Sequence, residues 1–91
     1  MALTPKTRQE LKAKAHKLKP VVMIGNKGLT EAVHKEIDIA LHHHELIKIR
    51  IATTDRELKE ALYSEICTTN KAEPVQLIGN TVVIYRKNKD E

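Results

Sequence analysis

The sequence has no tryptophan and no phenylalanine, and its aromatic side chains are Tyr63 and Tyr85. Modules that grip single-stranded nucleic acid usually stack bases on several aromatic rings. Any nucleic-acid contact made by this chain must therefore lean on backbone phosphate and on shape. Cys67 is the one cysteine, which excludes an internal disulfide and suits a reducing compartment. No apolar run approaches the roughly 18 residues of a membrane-spanning helix. The opening Met1-Ala2-Leu3-Thr4-Pro5-Lys6 leads into charge rather than an apolar stretch, so no secretory signal is expected. These absences together place the chain in the cytoplasm.

What is present is positive charge, unevenly placed. The 91 residues carry a net +4 with a sequence pI near 9.3. Lys6, Arg8, Lys12, Lys14, Lys17 and Lys19 face one acid, Glu10, in the first 20 residues. A basic surface of this kind suits a polyanionic partner. The length is enough for one domain, residues 1–91, and too small for a deep catalytic cleft.

The pattern of elements reads α-β-α-β-α-β-β. A first helix is expected over residues 5–18, with Thr4 as N-cap, Pro5 at the first position and a narrow stripe of Leu11, Ala15 and Leu18. Val21-Val22-Met23-Ile24 reads as a largely buried strand. Thr30 caps a second helix over 31–44, whose buried face is Val33, Ile37, Ala40, Leu41 and His44. Residues 46–51 alternate, with Ile47, Ile49 and Ile51 on one side and Leu46, Lys48 and Arg50 on the other, which predicts a strand buried on one face. Asp55 caps a third helix reaching Asn70, burying Leu58, Ala61, Leu62 and Ile66. Strands over 75–78 and 82–86 flank Gly79-Asn80-Thr81 as a hairpin. The first three strands, joined by helices, are expected to run parallel with right-handed crossovers, and the fourth to run against them. The predicted body is a two-layer α/β (α+β) domain with a mixed sheet, one face of which stays partly open.

Four features could carry chemistry. Gly25-Asn26-Lys27-Gly28 lies between a strand and a helix start. Its glycines permit positive φ and close approach to the main chain. The following helix aims unbonded N–H groups and the positive end of its dipole at the loop, and Lys27 adds a full charge. These parts suit a phosphate; a plain strand-to-helix turn is the alternative. The basic face of the first helix is either a solvated surface or a polyanion contact, and repulsion among its like charges favours contact. Lys48 and Arg50 lie on the open face of the second strand, joined by Arg86 and Lys87 at the end of the last, with solubility as the alternative. His42-His43-His44 splay by about 100° per residue and cannot converge on one ion; His44 is expected in the core, His42 and His43 outside. Cys67 falls away from the apolar stripe with no base beside it. No catalytic residues, metal, cofactor or small-molecule substrate are expected, so the chain is not read as an enzyme. Neither a Walker loop nor a dinucleotide fingerprint is present.

Lys19-Pro20-Val21-Val22-Met23-Ile24-Gly25-Asn26-Lys27-Gly28-Leu29-Thr30, with Glu36-Ile37-Asp38 and His44-Glu45-Leu46-Ile47-Lys48, resembles the CRM domain (chloroplast RNA splicing and ribosome maturation) and, by size, the bacterial single-domain YhbY family. The resemblance runs from about Leu3 to Arg86. It implies a fold similar to the C-terminal domain of translation initiation factor three, with sheet order 1-2-4-3 and an extra N-terminal helix. It implies RNA binding through Gly25, Asn26, Lys27 and Gly28 and adjoining basic residues, and association with ribosomal RNA in precursors of the large subunit. A protein-binding adaptor docking on a ribosomal protein or assembly factor is the alternative from another class.

Overall fold

Caps and a fixed proline φ set where the helices begin. Thr4 accepts a hydrogen bond from the Thr7 N–H at 3.1 Å and Pro5 takes the first helical position, so α1 runs over Pro5–Ala15. The computed structural model describes residues 3–25 and 27–87. It continues with β1 (Val22–Ile24), α2 (Glu31–His44), β2 (Leu46–Ile51), α3 (Arg56–Asn70), β3 (Glu73–Ile78) and β4 (Thr81–Tyr85). Thr30 caps α2 through the Val33 N–H at 3.2 Å, and Asp55 caps α3 through the Leu58 N–H at 3.1 Å. α1 ends at Ala15 rather than Leu18. Beyond it the bonds tighten to i→i+3, from Lys17 N–H to Lys14 O and Leu18 N–H to Ala15 O, and Pro20 bars further helix.

The sheet order is β1-β2-β4-β3, as the resemblance implies. β1 is parallel to β2, while β4 runs antiparallel to both β2 and β3. β1, β2 and β3 therefore share one direction, with β4 inserted between β2 and its crossover partner. The two-residue turn Gly79-Asn80 places β4 there, with Gly79 at φ +54.

Period-two alternation decides which face the paired helices cover. Val22, Ile24, Ile47, Ile49, Ile51, Val82 and Ile84 turn to one side and are buried against Ile37 and Leu41 of α2 and Ile66 of α3. Each such side chain contributes about 1.5–3 kcal/mol. The opposite face holds a smaller cluster, in which Leu11 and Ala15 of α1 pack on Leu46, Val75 and Val83 with Tyr85 alongside. α1 thus covers a corner of the second face of the two-layer body and leaves the remainder open.

Several residues sit differently from expectation. Met23 is 63% exposed between buried Val22 and Ile24, because β1 is an edge strand beyond the reach of α1. α3 is rotated, so that Leu58 and Ala61 are exposed while Leu62, Tyr63, Ile66, Cys67 and Asn70 turn inward. On the inward side Tyr63 Oη donates to the Val83 carbonyl at 3.2 Å, close to the register shift between Pro74 and Gln76. Cys67 therefore packs on the core rather than facing away from it. His44 is exposed: Leu41 is the last buried residue of α2, and the chain turns back at Glu45 with φ 61.

Candidate nucleic-acid interface

The loop after β1 is closed by a hydrogen bond from the Gly28 N–H to the Gly25 carbonyl at 3.0 Å. Gly28 has φ +71, a conformation that L side chains rarely adopt. Gly25 is different. Its φ is outside the left-handed region, and a Cβ placed on it meets nothing within 4 Å. The turn itself therefore asks for one glycine, not the two expected from the sequence. Lys27 is exposed, and Asn26 lies outside the described residues. α2 begins directly afterwards, and the N–H groups of its first turn have no intrahelical acceptor by geometry.

The cations of the first 20 residues do not gather on one surface, because α1 divides them. Arg8, Lys12 and His16 follow at i, i+4 and i+8 along one flank. On that flank a groove of about 200 Å³ between α1 and the sheet is lined by Lys12, His16, Lys48, Gln76 and Thr81, and no carboxylate lines it. Arg50 projects from the same strand face as Lys48 and pairs across to Thr81 on one side and Met23 on the other. Lys12, His16, Lys48 and Arg50 therefore border one surface. Lys48 lies where the chain enters β1, its carbonyl accepting from the Val21 N–H, Arg50 lies beside Met23, and the loop leaves the far end of β1 level with Ile51 and Ala52. Among the described residues no ion pair engages Lys12, Lys48 or Arg50. Lys14 and Lys19 lie on the opposite flank, in a larger groove of about 620 Å³ shared with His44, Glu10 and Glu45. Lys6 and Lys17 are exposed elsewhere along the N-terminal segment.

Two basic residues are held away from this surface. Arg8 is half-buried, its Nε makes no hydrogen bond among the described residues, and its charge is felt at Tyr63. Arg86 does not join Lys48 and Arg50. Antiparallel pairing puts it at the Leu46 end of β2, where Nη1 donates to Asp38 Oδ1 at 2.7 Å and to the Asn70 carbonyl at 3.1 Å. Lys87 follows it at that end. His16 was missed in the sequence as a groove residue, although its i+4 spacing from Lys12 was visible.

No cluster among the described residues has the make-up of a metal site. The rings of His42, His43 and His44 are 6.0 and 6.3 Å apart between neighbouring centroids. Burial pushes the Cys67 thiol up to about 11, with Glu73 adding to the effect, which is the reverse of an activated nucleophile.

The model of the CRS1/YhbY (CRM) domain matches residues 3–86 of the chain. The chain belongs to the CRS1/YhbY (CRM) domain family. A CRM relative in Haemophilus influenzae named "RNA-binding protein" is 49% identical over 88 residues, covering 97% of this chain and 89% of the relative. The Bacillus subtilis "Probable RNA-binding protein YqeI" is 34% identical over 88 residues, covering 97% and 92%. The solution structure of a Staphylococcus aureus hypothetical protein, described as a candidate RNA-binding protein, superposes with a TM-score of 0.85 at 35% identity, covering 97% of this chain and 92% of that one. The CRM fold therefore carries this sequence from α1 to the end of β4. No helix among the described residues is long and apolar enough to cross a membrane.

Proposed function

We propose that this CRM-domain chain is an RNA-binding protein that holds backbone phosphates between the Gly25–Gly28 loop and the groove bordered by Lys12, Lys48 and Arg50. The observation that carries the reading is the acid-free groove, whose cations have no carboxylate partner among the described residues, with Arg50 beside Met23 on the strand step between that groove and the loop. Unneutralised like charges grouped in this way repel each other, and a polyanion relieves that repulsion. Relatives named as RNA-binding proteins agree with the reading. In it, Lys27 and the Glu31 and Ala32 N–H groups, which the Thr30 cap leaves over, face one phosphate, and the open Cβ position of Gly25 lets the RNA backbone approach the main chain. The resemblance to the YhbY family supports a more specific partner, ribosomal RNA in precursors of the large subunit.

The test is RNA affinity measured across a salt series. If Z phosphates are neutralised, log affinity falls with log salt at a slope of about −0.7Z to −0.9Z. Lys27→Ala is expected to reduce the slope by about one phosphate's share. A flat salt dependence would remove RNA backbone as the ligand.

A further inference from the structure

The open part of the second sheet face presents one straight row that phosphate binding leaves unexplained. Strand register places Met23 beside Arg50, Arg50 beside Thr81, and Thr81 beside Ile78. Met23 is 63% exposed and Ile78 is 54% exposed, and Arg50 between them is exposed as well. Solitary exposed apolar residues are ordinary. These two lie on the same face of one row, on either side of a guanidinium, directly in front of the groove that carries Lys12, His16 and Lys48. Three inter-strand gaps make the row about 14 Å long.

We propose that this row is a platform for unpaired nucleobases, so that the RNA recognised here is single-stranded or splayed rather than continuous duplex. The inference rests on the RNA-binding reading above and names the form of RNA that reading leaves open. Phosphates go to Lys12, Lys48 and the loop, while bases lie on Met23, Arg50 and Ile78. A guanidinium plane stacks on bases as aromatic rings do, and other four-stranded RNA-binding sheets place two or three bases on an open face through aromatic side chains, a place that Arg50 and its apolar neighbours take here. A thioether is polarisable and makes favourable contacts with aromatic rings. The platform thus supplies what the missing phenylalanine and tryptophan would otherwise provide. Charge complementarity favours RNA over an apolar protein segment here, because the adjoining groove is basic and without acid, unlike the mixed-charge groove on the other flank of α1.

The experiment compares an unstructured single-stranded RNA with a blunt duplex of equal length, by fluorescence anisotropy, for the wild type, Met23→Ser, Ile78→Ser and the double variant. Both side chains are exposed, so thermal unfolding should stay at the wild-type midpoint. The double variant is expected to lose roughly five- to tenfold in single-strand affinity with an unchanged salt slope and unchanged duplex affinity. The sequence holds two methionines, Met1 and Met23, so a methyl-labelled methionine spectrum provides a second readout. The Met23 methyl should move upfield in the ring current of a stacked base when the single strand is added. Salt-dependent binding that ignores strandedness, with silent variants and an unmoved Met23 methyl, would overturn the platform while leaving RNA binding in place, and would give the row to a protein partner instead. Absence of salt-dependent binding to either RNA would sink both readings together.

Discussion

Gly25 and Gly28 occupy matching positions in the motif but answer to different constraints. Gly28 is needed by the backbone, at φ +71, whereas Gly25 is not. Gly28→Ala is expected to cost about 1 kcal/mol of stability, read as a lowered denaturant midpoint. Gly25→Ala is expected to leave that midpoint unchanged and weaken RNA binding, because its Cβ would stand where the ligand approaches. Unchanged affinity in Gly25→Ala would remove the close approach. Cys67 makes a separate prediction. Its thiol ionises near pH 11 in the folded protein against an ordinary value of 9.0. The native state keeps its proton where the unfolded chain has lost it, so this contribution to stability is present below pH 9 and is lost as pH rises to 11. Alkylation by iodoacetamide under native conditions should be slow at pH 8 and reach half its maximal rate near pH 11. A midpoint at or below 9 would show that the thiol is not buried as described.

Caps and alternation made most elements legible in the sequence. Thr4, Thr30 and Asp55 mark three helix starts, and the Ile47-Ile49-Ile51 alternation marks β2 and its buried face. The rotation of α3 was not legible. The inward side of α3 includes Tyr63, whose hydroxyl meets the Val83 carbonyl beside an irregularity between β3 and β4, a contact that no local pattern of the helix announces. The docking of α1 was hidden for a similar reason. Its stripe is too narrow to name a partner, and Leu46, Val75 and Val83 become neighbours only when β4 inserts between β2 and β3. This docking positions Lys12 and His16 over Lys48. Leu11, 6% exposed, is its main anchor beside Ala15. Leu11→Ala should cost about 2–3 kcal/mol, measured by denaturant unfolding, and should lower RNA affinity at temperatures where the rest of the fold persists. Full retention of affinity with α1 undocked would separate the helix from the site.

Over the whole molecule the net charge of +4 says less than its division by α1. Lys12 and Lys48 meet on one flank without acids, and Lys14 and Lys19 meet on the other beside Glu10 and Glu45. A reading of the sequence by charge alone treats these pairs as equivalent, and only the packing of α1 tells them apart. Charge reversal can therefore distinguish a localised RNA surface from general attraction. The decisive comparison is RNA affinity, at one salt concentration, for Lys12→Glu with Lys48→Glu against Lys14→Glu with Lys19→Glu, two variants of identical net charge. A surface built on the acid-free groove requires the first to lose roughly a hundredfold and the second less than about tenfold. Equal losses, or a larger loss in the second, would refute it.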